Sequence, residues 1–135
     1  MSFDPDFSDF NFELIYSRLQ DLPSFVRNLV YNHDGWIVGS GARYLLGLTN
    51  SKLTPKDYDV LIPFHCWGDV ALTIPRGTPS NSFGGFKVTI EGKTTDVWCG
   101  DIGWFLSHST INNDLALHIR TKTVIRAHTV KLNKN

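Results

Sequence analysis

Asp57 and Asp59 flank Tyr58, a lone Asp96 stands in Thr95-Asp96-Val97, and the run Gly39-Ser40-Gly41-Ala42-Arg43 precedes them all. Alternate side chains of a strand share a face, so a strand through Tyr58 presents Asp57 and Asp59 together, about 6 to 7 Å apart. If the strand carrying Asp96 pairs beside it, a third carboxylate joins the two. Such an oxygen-only donor set suits Mg²⁺ or Mn²⁺, and Mg²⁺ keeps several waters and takes phosphate oxygens as its remaining ligands. Two ions roughly 4 Å apart serve an in-line phosphoryl displacement, activating the attacking hydroxyl and stabilising the leaving pyrophosphate. Gly39, Ser40 and Arg43 suit the other end of that reaction. Glycine lets backbone approach an anion closely, N–H groups at a helix start attract it, and Ser40 and Arg43 add a hydroxyl and a charge-assisted bond.

These residues need strands ending in turns, and the flanking sequence supplies them. Trp36 to Val38 reads as a buried strand, Gly39 to Gly41 as a tight turn, Ala42 to Leu48 as a short helix, and Tyr58 to Ile62 as a second strand limited by Pro63. Phe86 to Ile90 and Thr94 to Cys99 flank Glu91-Gly92-Lys93, a hairpin signal. Leu115 to Ile119 and Thr123 to Ala127 suggest another hairpin around Arg120 to Lys122. Residues 8 to 20 carry apolar side chains at helical spacing after Ser8, an expected N-cap, and a second helix starts at Pro23-Ser24 and ends in the stretch Asn32 to Gly35. Residues 65 to 74 fit helix and strand about equally and are taken as helix. Pro75 to Gly85, with two prolines and three glycines, is expected to be a mobile loop, and Asp101 to cap a short helix through Ser107.

At 135 residues and 41% hydrophobic content, with four Trp and nine Phe, the chain suffices for one domain with a real core and is not disordered in composition. Its formal net charge is zero, so no global field draws it to nucleic acid or anionic lipid. The first 34 residues nevertheless hold six acidic and two basic groups, while residues 120 to 135 hold five basic groups and no acid. The division expected is N-terminal helices over 1–34, a core over 35–126 and a basic tail over 127–135. No apolar run is long enough for a membrane span and the acidic start lacks a signal-peptide n-region, so a cytoplasmic location is expected. Cys66 and Cys99 form no CxxC motif and the five histidines show no zinc spacing, so the thiols are read as free.

The run Ile37-Val38-Gly39-Ser40-Gly41-Ala42-Arg43-Tyr44-Leu45-Leu46-Gly47, followed by Lys56-Asp57-Tyr58-Asp59-Val60, resembles the head-domain signature of tRNA CCA-adding enzymes and bacterial poly(A) polymerases, members of the DNA polymerase beta nucleotidyltransferase superfamily. Ser109-Thr110-Ile111-Asn112 before the last hairpin is similar to a Thr-Ile-Asn segment of that family. The resemblance spans about residues 35 to 126. It implies an α+β nucleotidyltransferase fold, a mixed sheet with helices packed mainly on one side. It implies Gly39 and Ser40 at the triphosphate, Arg43 as a phosphate ligand, Asp57 and Asp59 on the metals, and Asp96 as the third acid.

The chain departs from the family pattern in three places. Ser40 stands for a second glycine, Tyr44 for an acid, and Ser107-His108-Ser109 for Arg-Arg-Asp. The neck, body and tail domains that choose bases and hold tRNA have no counterpart in these 135 residues. The expectation is therefore a minimal nucleotidyltransferase, alone or with a protein partner. It would transfer a nucleoside monophosphate from an NTP to a hydroxyl of RNA, including tRNA, of protein or of a small molecule. The alternative is a catalytically silent member of the fold that binds nucleotide, RNA or a protein. A metal-dependent nuclease on the same acids is set aside because no lysine stands in an acid-x-lysine arrangement with Asp96.

Overall fold

The computed structural model describes residues 3–5, 10–48, 53–108 and 115–127. Strand β1 is Phe3–Pro5, and helices α1 (Phe12–Leu19) and α2 (Ser24–Asn32) follow. Next come β2 (Trp36–Val38), α3 (Gly39–Leu45), β3 (Asp57–Ile62) and α4 (Phe64–Thr73). The chain continues through β4 (Phe86–Ile90), β5 (Lys93–Cys99), α5 (Ile102–Ser107), β6 (Leu115–His118) and β7 (Thr123–Ala127). The strands form one mixed sheet in the order β1-β7-β6-β2-β3-β5-β4, in which β3 and β5 run parallel and the other pairs antiparallel. The class is α+β, as the sequence implied.

Alternation along the strands sorts the residues into two layers. Tyr58, Val60 and Ile62 of β3, Ile37 of β2, Val97 of β5 and Leu115 and Leu117 of β6 join one apolar cluster with Ile15, Leu19, Val26, Leu29, Leu45 and Val70 from the first four helices. The opposite face holds a smaller cluster of Val38, Leu61, Trp98, Ala116 and Ala127, covered by Leu106 of α5. Among the described residues four helices thus lie on one face and one on the other, and Asp57 and Asp59, out of phase with Tyr58 and Val60, belong to the lightly covered face.

Local chemistry explains most boundaries. Asn11, not Ser8, caps α1, with its Oδ1 accepting from the Leu14 N–H at 3.1 Å; Ser8 lies outside the described residues. Pro23 precedes α2 with φ −56°, a value that proline's ring fixes. The hairpin about Glu91 and Gly92 forms as expected, with Ile90 opposite Lys93. The second forms around Arg120 to Lys122.

Three expectations change. Gly39 to Gly41 is not a separate turn but the first turn of α3. Gly39 makes the strand-to-helix switch at φ 64°, and Gly41 lets the helix sit so close that an added Cβ would lie 2.8 Å from Ile37 Cδ1 and 3.2 Å from Tyr58 Cδ1. Tertiary packing outweighs the poor helix propensity of two glycines there. Second, the N-terminal region is not helical throughout, because Phe3–Pro5 pairs with Ile125–Ala127 as an edge strand. Third, the loop 75–85 is pinned by Asn81, whose Oδ1 accepts from the N–H groups of Phe83 and Gly85 and whose Nδ2 donates to the Phe86 carbonyl. The Thr-Ile-Asn segment, part of the loop before Asp57 and residues 128 to 135 of the basic tail lie outside the described residues.

Candidate active site

The parallel pairing of β3 with β5 sets Asp59 directly beside Asp96, Asp57 beside Thr94 and Leu61 beside Trp98. Asp57, Asp59 and Asp96 therefore project from one face of two adjacent strands. Asp57 is exposed at the strand start, whereas Asp59 and Asp96 are half-buried. Burial, then the charges of Asp96 and Asp57, push the Asp59 carboxyl up to about 6 against the opposing pull of Lys87. A carboxylate held among like charges in a partly dry site favours a proton or a cation.

Gly39 and Ser40 lie at the Asp57 end of this row. Val38 pairs with Asp59, so the chain turns into α3 just beyond, and Ser40 Oγ donates to the Asp57 carbonyl at 3.3 Å. Ser40 is exposed, and Arg43, three residues on, shares its side of the helix and is half-buried. The structure thus gathers Ser40, Asp57, Asp59 and Asp96 around one stretch of sheet, with Arg43 one helical turn behind Ser40.

Two residues at the site escaped the sequence reading. Lys87 of β4 pairs across the hairpin with Asp96, and its Nζ lies 3.3 Å from Asp96 Oδ2. Its position was legible, because a turn that places Ile90 opposite Lys93 must place Lys87 opposite Asp96. A lysine thus meets Asp96 from the next strand, although no acid-x-lysine arrangement is formed. Asn81 donates through Nδ2 to Asp96 Oδ1 at 3.2 Å. Lys87 and Asn81 together hold both oxygens of Asp96. No local pattern announces Asn81, since an asparagine in a loop of proline and glycine reads as turn chemistry.

A second polar cluster lies beyond the C-terminal end of β3. Asp34, His65 and Cys66 bring one oxygen, one nitrogen and one sulfur within 4.8 Å of one another, a convergence that histidine spacing did not suggest. Arg120 Nη1 contacts Asp34 Oδ1 at 2.7 Å, His65 Nε2 lies 3.1 Å from Oδ2, and His118 Nε2 lies 3.7 Å from Oδ1. The hydrogen bond from His65, with the charges of Arg120 and His118, holds Asp34 below the usual carboxylate range despite burial. Burial and the Asp34 charge push the Cys66 thiol up. With Arg120 balancing Asp34, the cluster acts as a clamp tying α4 and the β6–β7 turn to the entry into β2.

On the same face as the acids, one step further along β3 and β5, Leu61 and Trp98 floor a groove of about 780 Å³. Its walls include Phe64, Phe83, Trp104 and Phe105. Phe83 stacks on Trp98 with ring centroids 4.3 Å apart, and Phe105 sits 5.3 Å from Trp98.

Among the described residues no helix is long and apolar enough to cross a membrane. No protein-family model and no curated protein matches the sequence. Among solved structures, a CCA-adding enzyme in complex with ATP is similar over 95% of this chain and 34% of its own, at 16% identity and a TM-score of 0.48. The chain thus spans about a third of the length of that enzyme.

Proposed function

We propose that this protein is a divalent-metal-dependent nucleotidyltransferase that moves a nucleoside monophosphate from an NTP to a hydroxyl of RNA, protein or a small molecule. The observation that carries the reading is the register of Asp59 against Asp96, with Asp57 two residues earlier on the same face. By type the donor set suits a hard cation: all three groups are carboxylates, and the burial and like-charge repulsion that raise Asp59 are both offset when positive charge enters. Asp57, Asp59 and Asp96 would hold Mg²⁺ or Mn²⁺, which when bound supplies Lewis-acid stabilisation of the phosphate charge.

The remaining work falls to the chain itself. Gly39 and Ser40 receive the triphosphate tail at the Asp57 end, and Arg43 adds charge behind them. Asn81 and Lys87 fix the Asp96 carboxylate. In the transfer, the acceptor oxygen bonds to the α-phosphorus, the bond from that phosphorus to the bridging oxygen breaks, and pyrophosphate leaves with its electrons. The hydroxyl proton passes to solvent. Residues 35 to 126 form the core of this unit in the reading, and the site is a cytoplasmic one.

One observation favours a second reading. The Lys87 ammonium already neutralises part of the acid cluster, which leaves less charge for a cation to balance and suits a catalytically silent nucleotide-, RNA- or protein-binding member of the fold. Incubation with each of the four α-labelled NTPs, Mg²⁺ or Mn²⁺, and pooled RNA and extract acceptors separates these readings. Label transferred by the wild type and lost in Asp57→Ala/Asp59→Ala supports the transferase. Nucleotide binding without transfer supports the silent protein, and shortening of the RNA would favour a nuclease.

A further inference from the structure

We propose that the aromatic groove beside the acids is the acceptor pocket, and that it takes a nucleoside-sized molecule with a flat, uncharged ring and a free hydroxyl. The proposal rests on the transferase reading above and deepens it.

Three levels succeed one another along β3, each two residues, or about 6 to 7 Å, from the next. Ser40 meets the Asp57 carbonyl at the first, Asp59 and Asp96 face each other at the second, and Leu61 and Trp98 at the third. An in-line displacement holds the attacking oxygen and the leaving pyrophosphate on opposite sides of the reacting phosphorus. With the triphosphate tail at the Ser40 level and the reacting phosphorus beside Asp59 and Asp96, the hydroxyl must arrive from the Trp98 level. The groove lies there.

Its chemistry selects the occupant. About 780 Å³ falls in the range of small-molecule pockets. The lining is dominated by aromatic and aliphatic side chains, and among the described residues no lysine or arginine contributes to it. A polynucleotide held there would leave its phosphates without counter-charge, whereas a flat neutral ring stacks on such walls. Phe64 and Trp104 remain 71% and 64% exposed, apolar surface that a stacked ligand would cover. Asp101, the one ionisable side chain other than Cys99 in the lining, already spends Oδ2 on capping α5 through the Trp104 N–H.

The test uses naphthylmethanol, a flat ring bearing one hydroxyl, followed by quenching of tryptophan emission. Saturable quenching is expected. It should weaken about tenfold in Trp104→Ala and in Phe64→Ala, the size of one stacking contact. Both side chains are exposed, so the variants keep the fold; Trp98 is 4% exposed and its removal would test folding instead. Mg²⁺ and ATP should leave the affinity within twofold. The Asp59→Asn variant should bind equally well while losing transfer, so the pocket and the catalytic reading fail separately. Absence of saturable quenching, or quenching unchanged in both aromatic variants, overturns the pocket. Displacement of the probe by ATP would assign the groove to the base of the NTP, and displacement by single-stranded RNA to a polynucleotide; either result overturns the proposal.

Discussion

The two faces of the sheet are built from the same strands to opposite ends. On one face of β3, Tyr58, Val60 and Ile62 are fully buried beneath the first four helices; on the other, Asp57 is exposed, Asp59 half-buried and Leu61 buried under the aromatic groove. The first face maximises burial. The second holds three like charges side by side in a partly dehydrated row, and burial, then their repulsion, raises the affinity of Asp59 for a proton. A strand that alternates between the two functions cannot shift register by one residue without exchanging them. The fold and the site therefore depend on the same pairing.

That contrast is sharpest in activity. Asp59→Asn removes one charge from the open face without altering its shape, so transfer of label from an NTP should fall by about a thousandfold or more, a loss typical of removing an essential electrostatic group. Circular dichroism and thermal unfolding of the variant should show an intact fold. A fold lost together with the activity would mean that the acids are structural.

Ile62→Ala attacks the other face. Truncating a fully buried isoleucine should cost about 2 to 5 kcal/mol in a denaturant titration. The residual folded protein should still bind ATP.

The pH dependence of stability has a definite sign. Asp59 has its carboxyl raised above the ordinary value of 3.8 to about 6 in the folded state, so the native protein binds that proton more tightly than the unfolded chain. Its contribution is present in full below about 4 and is lost as pH rises towards 6 and beyond. The wild type should therefore lose stability relative to Asp59→Asn across this window, as read from paired melting curves. Mg²⁺ should restore part of the loss at pH 7. Parallel curves with no divergence between pH 4 and 7 would mean that neither burial nor repulsion raises Asp59.

The smallest effect lies on the buried face. Among the described residues the geometry gives the buried Tyr58 hydroxyl no hydrogen-bond partner, and burial pushes the phenol up to about 12 against the smaller opposing pull of Thr54. Tyr58→Phe should be neutral or stabilising by about 1 kcal/mol, since it deletes an unsatisfied polar group. A clear destabilisation would show that the hydroxyl has a partner in solution.

Most of this arrangement follows from periods and turns visible in the sequence. The alternation through Tyr58 fixes which residues share a face, and the Glu91-Gly92 turn fixes the register that sets Lys87 against Asp96. Other features depend on encounters that no local pattern encodes. Phe3-Asp4-Pro5 becomes a strand only because β7 offers an edge. Arg120 reaches Asp34 across 86 residues of chain. Asn81 orders its loop through local bonds, but its contact with Asp96 exists only after β4 and β5 have paired. The start of α3 is intermediate. Its glycines announced a turn, but the close contact of Gly41 with Ile37 and Tyr58 makes that turn part of the helix.

The central claim is that the open face of β3 and β5 is a cation site. Titration of the protein with Mn²⁺, reading the free-ion signal by electron paramagnetic resonance in the presence of ATP, tests it most directly. Saturable binding by the wild type, at least tenfold weaker in a folded Asp57→Asn/Asp59→Asn variant, is the result expected. Equal binding by the two proteins, or no binding by the wild type, would contradict the account.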